Sequence, residues 1–172
     1  MRFLVTLLCA LALGGGTTAA LAGCGNATKV VTENGKTRTV PDIKFAKTRF
    51  LIHAGVAFGA FHRYILKPYQ AGAFKKGAPG RKTAFVKAGA AGLFAYHELK
   101  VARKDALASD TLRPLVDKLD SAGAKLKDLA SSLKGGALNP ASLLGAGGGL
   151  TGIAGAAKGL GVNLKDRNPP GF

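Results

Sequence analysis

Leucine recurs at every seventh position in one part of the chain, at Leu112, Leu119, Leu126 and Leu133. Leu115, Ala122 and Leu129 stand three places after the first three. This a/d spacing predicts an amphipathic helix of about three heptads, with Asp117, Lys118, Asp120, Lys125 and Asp128 outside the apolar seam. Thr111 suits the cap of that helix, and Pro114 falls in its first turn, where a missing N–H is tolerated. The seam either pairs with a second copy as a coiled coil or covers an apolar face within the same chain. It is short and weakened in the middle by Ala122-Gly123, which favours the intramolecular reading.

Two upstream segments carry helical patterns of a different kind. "DIKFAKTRFLIHAGVAFGAFHRYIL" predicts a helix from an Asp42 cap to about Leu66. Its centre, Phe50–Phe61, has no Lys, Arg, Asp or Glu, and Gly55 and Gly59 form a GxxxG flanked by Ala54 and Ala60. Glycine at that density costs helix propensity, so close helix approach is the expected reason for it. The apolar centre, about 12 residues long, suits a buried or interfacial helix better than one spanning a bilayer. "KPYQAGAFKKGAPGRK" then reads as a loop, broken by Pro68 and Pro79. A second helix follows from a Thr83 cap to about Ala108, with Ala88, Gly92 and Tyr96 one turn apart beside Ala91 and Ala95. Two helices with small-residue faces joined by a loop predict a helical hairpin.

The ends of the chain are less patterned. Val30-Val31 and Val40 flank Asn34-Gly35, a dipeptide suited to a type I′ turn, so the segment is a short β-hairpin or a polar tether. "GGALNPASLLGAGGGLTGIAGAAKGLGVNLKDRNPPGF" is rich in glycine yet studded with Leu138, Leu143, Leu144, Leu150, Ile153 and Leu160. Its glycine content predicts a loosely packed, flexible tail. The expected fold is therefore all-α: a small helical bundle of a helical hairpin plus an amphipathic third helix. The expected divisions are 1–23, 24–41, 42–134 and 135–172.

Charge changes this picture by its placement. The chain carries a net charge of +16. Residues 29–104 hold 16 Lys and Arg against Glu33, Asp42 and Glu98, whereas residues 105–134 hold five of each sign. Within the hairpin, Arg63, Lys67, Lys75, Lys76, Arg81, Lys82 and Lys87 are the candidate contacts to an anionic surface. The packing candidates are Gly55, Gly59 and Gly92 with Leu112, Leu115, Leu119, Leu126 and Leu129.

The first residues suggest a location. Arg2 followed by "FLVTLLCALAL" has the make-up of a secretory signal, with an apolar run too short to span a bilayer. It ends in Leu21-Ala22-Gly23-Cys24, which resembles the lipobox of bacterial lipoproteins at all four positions. The resemblance implies cleavage before Cys24 and diacylation of its thiol, placing the protein on the extracytoplasmic face of a cell membrane. It covers only about the first 25 residues. Cys9 would be lost with the signal, so the mature chain would hold no disulfide and depend on its apolar core.

Catalytic and metal patterns are weak. Gly147, Gly149 and Gly152 formally match GxGxxG, but no predicted strand precedes them and no acidic residue follows at the right distance. In "GAPGRKT", Arg81 interrupts the Gly-Lys-Thr of a phosphate-binding loop. His53 and His62 are nine residues apart, on opposite faces of a helix, and His97 has only Glu98 beside it. The five serines lack a nucleophile-elbow context. A non-enzymatic protein with no cofactor is expected. Its partners would be membrane lipid through the anchor and an anionic lipid or wall polymer. Nucleic acid is the alternative, because "KFAKTRF" and "FKKGAPGRK" interleave Phe with Lys and Arg. A homo-oligomer built through the leucine seam is a further one.

Overall fold

A computed structural model describes residues 27–33 and 36–170. The expected signal segment and the acylation candidate Cys24 lie outside the described residues, as does the Asn34-Gly35 pair. The fold is mostly helical with one small β-hairpin, as the patterning predicts.

Strands β1 (Thr28–Glu33) and β2 (Lys36–Pro41) pair antiparallel, with Thr28 opposite Pro41 and Glu33 opposite Lys36. Of the two alternatives for this segment, the hairpin is the one formed. Val40 is buried, and β2 packs on the second helix. The Asp42 N–H donates to the Ala27 carbonyl at 2.7 Å, extending the pairing by one step. That bond ties Asp42 to the hairpin, and it does not cap a helix. The first helix, α1 (Ala46–Phe61), starts four residues later, after Phe45 in the left-handed region (φ 57°).

Beyond Phe61 the helix widens into a π turn over His62–Leu66 and continues as Lys67–Gln70. The widened turn is marked by the Lys67 N–H donating to the His62 carbonyl five residues back. Pro68 is the physical reason. In a regular helix its ring would clash with the carbonyl four residues earlier, and it has no N–H to offer. The expected stop near Leu66 is thus replaced by a distortion that lets one more turn form.

Helix α2 (Arg81–Ala108) begins after Gly80, whose φ of 68° suits a residue without Cβ, and Thr83 does not serve as its cap. A 3₁₀ turn, Arg113–Leu115, holds Pro114 and leads into α3 (Val116–Lys134). The leucine seam is buried throughout: Leu112, Leu115, Leu119, Ala122, Leu126, Leu129 and Leu133 all lie in the core. Helix α2 packs on both α1 and α3, so the seam is covered within the chain.

The glycine-rich segment departs from expectation. It forms a helix, α4 (Pro140–Gly159), packed on α3. Asn139 caps it, with Oδ1 accepting the Ala141 N–H at 2.9 Å, and Pro140 occupies the first turn. Leu143, Ala146, Leu150, Ile153 and Ala157 are buried at helical spacing, and that burial offsets the low propensity of glycine. The core therefore does not stop at residue 134 but runs on to Val162.

The GxxxG of α1 also has a different partner. Residues 162–168 form no regular element and return along α1, where the Arg167 N–H donates to the Gly55 carbonyl at 2.9 Å. A Cβ on Gly55 would stand 2.6 Å from the Lys165 carbonyl oxygen, and one on Gly59 would collide with the Arg167 carbonyl. Close approach is the reason for these glycines, but what approaches is an irregular strap, not a helix. Gly92, by contrast, does serve helix packing. A Cβ there would lie 2.9 Å from Ala130 Cβ on α3. The Phe50–Phe61 stretch is built into the bundle. Among the described residues, no helix is long and apolar enough to cross a membrane.

Candidate functional site

The four helices run alternately up and down, so chain ends and turns collect at two poles. One pole holds the β-hairpin base, the start of α1 and the Ser109–Leu115 turn. The other holds the 71–80 loop, the start of α2 and the Gly135–Asn139 turn. A helical stretch from Ala46 to Gln70 separates them, about 37 Å at 1.5 Å per residue.

Carboxylates are unevenly divided between these poles. At and near the hairpin pole three are paired: Arg49 Nε donates to Asp105 Oδ1 at 3.1 Å, Arg103 pairs with Asp120, and Arg113 with Asp110. Lys29, Arg38, Lys44 and Lys47 of the same pole pair with no carboxylate among the described residues. Asp105 is fully buried, and its Oδ2 has no hydrogen-bond partner among the described residues. Two further pairs lie between the poles. His53 Nδ1 meets Glu98 Oε2 at 2.7 Å, and His62 Nδ1 meets Asp166 Oδ2 at 2.7 Å. His53 and His62 thus each have a carboxylate partner, and no group of three metal-ligating residues occurs among the described residues.

The loop pole is basic without compensation. No Asp or Glu occurs between Asp42 and Glu98. Among the described residues, no carboxylate pairs with Lys67, Lys75, Lys76, Arg81, Lys82 or Lys134. Arg81 is held in place: its Nε donates to the Phe74 carbonyl at 3.0 Å, and its guanidinium lies 4.7 Å above the Phe85 ring. Phe74 in turn packs on Phe85 with centroids 4.9 Å apart. These contacts anchor the loop to α2 and leave Lys75 and Lys76 exposed at its surface.

The structure brings only part of the predicted set together. Lys75 and Arg81 line one recess with Leu138, while Arg81 and Lys82 line a second with Lys134. Arg63 is exposed on the π turn, Lys67 on the helical turn that follows it, and Lys87 on α2. No family model matches this chain, and neither a curated protein nor a solved structure does.

Lys134 is absent from the predicted set because the segment that holds it, residues 105–134, carries five charges of each sign. It joins the basic pole through topology, since an α3 antiparallel to α2 must end beside the start of α2. The exposed lysines carry flexible point charges suited to polyanions. The fixed guanidinium of Arg81 adds a donor of defined direction.

Proposed function

We propose that this is a lipid-anchored, non-enzymatic protein of the bacterial cell envelope. Cys24 tethers it to the membrane, and the basic loop pole engages an anionic polymer of the wall. One observation carries the reading: the loop pole, opposite Ala27, gathers Lys75, Lys76, Arg81, Lys82 and Lys134 with no carboxylate among them, whereas the cations near Ala27 (Lys29, Arg38, Lys44 and Lys47) share their pole with Asp42, Asp105, Asp110 and Asp120. Only Gly25 and Asn26 separate Cys24 from Ala27, so that link spans roughly 10 Å at full extension. The bundle is about 37 Å long by its helical rise, which carries the basic pole away from the anchoring leaflet. For the loop-pole cations, nearness to the anchor in sequence is thus distance in space, unlike Lys29, Arg38, Lys44 and Lys47. A target across the envelope suits those loop-pole charges better than the membrane beneath the hairpin. The polar groups of this pole are ammonium and guanidinium without a neighbouring acid, a binding chemistry and not a catalytic one.

Two measurements test this. Cells expressing the wild-type chain and Cys24→Ser are fractionated, and the N-terminal peptide is weighed. Wild type should enter the detergent phase with a diacylglyceryl mass on Cys24, and an unmodified thiol or an intact leader refutes the anchor. Separately, the unlipidated mature chain is offered neutral vesicles, anionic vesicles, wall polymer and duplex DNA over a salt series. Binding to wall polymer should fall with salt and be lost on Lys75→Glu, Lys76→Glu and Lys134→Glu, since surface cations act within a Debye length of about 8–10 Å. Arg81 is left intact because it holds the loop. DNA outcompeting the other polyanions at matched salt would establish the nucleic-acid reading instead, and no binding at all would refute both.

A further inference from the structure

The basic pole borders a groove whose floor is apolar. Helix α3 stops at Lys134, and Gly135 and Gly136, the latter at φ 72°, turn the chain away without side chains. The face of α2 flanking that end is left bare. Val86, Ala90 and Leu93 follow each other at helical spacing along it, with Val86 72% and Leu93 39% exposed. With Phe85 and Leu133 they line a groove of about 560 Å³. That size falls within the range of small-ligand sites, about 300–1,000 Å³. Its rim carries Arg81, Lys82 and Lys134, and no carboxylate lines it.

The geometry points to a binding site for a single-chain anionic amphiphile: a fatty carboxylate whose alkyl chain lies on the Val86–Leu93 face and whose head meets Arg81, Lys82 and Lys134. Charge complementarity selects this occupant. A neutral chain leaves three rim cations unanswered, and a second copy of the protein would set cation against cation. The Arg81 guanidinium is already oriented by Phe74 and Phe85, so it meets the head without first being ordered. The inference adds a discrete ligand to the polymer-binding reading and does not depend on it.

The test uses decanoate, with octanoate, 1-decanol, decyltrimethylammonium and acetate for comparison, each below its micellar concentration. Binding to the unlipidated mature chain is read by calorimetry and by methyl NMR. Decanoate should bind and shift the methyl signals of Val86, Leu93 and Leu133. Affinity should rise roughly threefold to fourfold per added methylene between octanoate and decanoate. Lys82→Gln with Lys134→Gln should weaken binding roughly tenfold or more, the size of a lost charge-assisted contact. Ala90→Phe, at an exposed position, should fill the groove and abolish decanoate binding while polymer binding persists. Val86→Gln gives a second, milder block. The proposal is overturned if 1-decanol or decyltrimethylammonium binds as well as decanoate. It is also overturned if the shifts map elsewhere, if Ala90→Phe binds normally, or if the free chain is a dimer that this substitution dissociates.

Discussion

Replacing Gly59 by alanine separates two opposing effects, and the structure says which one wins. Alanine is favoured over glycine within a helix by about 1 kcal/mol. At this position, however, the new Cβ would lie 2.8 Å from the Arg167 carbonyl carbon and closer still to its oxygen. Both are backbone atoms, so the strap must lift. Lifting it breaks the Arg167 N–H to Gly55 carbonyl bond, a contribution of about 0.5–1.5 kcal/mol. It also separates the half-exposed His62–Asp166 pair, about 0.2–1 kcal/mol. Part of the burial of Leu164 goes too, about 1 kcal/mol. The net expectation is a loss of about 1–2 kcal/mol, with the bundle still folded. Hydrogen exchange should show the Arg167 amide losing protection while α2 and α3 keep theirs. Gly152→Ala is the control, because a Cβ there meets nothing within 4 Å. It should raise stability by about 0.5–1 kcal/mol. A Gly59→Ala protein as stabilised as Gly152→Ala, with the strap still protected, would refute the seating of the strap on the GxxxG.

Two other expectations concern the core. Leu119→Asp and Leu126→Asp place carboxylates at buried seam positions, each costing several kcal/mol, so circular dichroism should show unfolding; a folded monomer in sedimentation would contradict intramolecular burial of the seam. For the Arg49–Asp105 pair, removing the half-exposed partner should cost more than removing the buried one: Arg49→Gln strands a buried carboxylate at roughly 1–3 kcal/mol, whereas Asp105→Asn leaves the arginine in reach of water. Chemical denaturation giving the reverse order would show that Asp105 is satisfied by something other than Arg49.

Periodicity made most of the bundle legible. The seven-residue leucine spacing identified α3, and the small-residue face marked α2 as a helix that others approach closely. Asn34-Gly35 between valines allowed a hairpin but left a polar tether equally open, because the flanks are short and mostly polar. Helix α4 was hidden by its glycines, although two signals for it were present. Asn139-Pro140 is a cap followed by a first-turn proline, and Leu143, Leu150, Ile153 and Ala157 keep helical spacing. Propensity argued against the helix, and burial against α3 overrode it. What Gly55 and Gly59 contact could not be read, because a glycine pair records that something comes close without recording what. The membership of Lys134 in the basic pole was equally out of reach, since it depends on where two helices end relative to each other and not on any local pattern.

The two kinds of packing seam respond to mutation with opposite signs. Ala54, Ala57 and Ala60 of α1 and Ala88, Ala95 and Ala102 of α2 are buried with almost no side chain to lose. Nearly every substitution there enlarges the residue, and overpacking costs about 1–3 kcal/mol. Along α3 the leucines are exchanged mostly for something smaller, and the resulting cavities cost about 2–5 kcal/mol. One side of the core is damaged by crowding and the other by emptying, so sequence drift in this chain is expected to run through compensating pairs. Gly92 and Ala130 are such a pair: with 2.9 Å between a new Cβ and the old one, alanine at position 92 fits when glycine appears at 130, and the two positions have reason to change together.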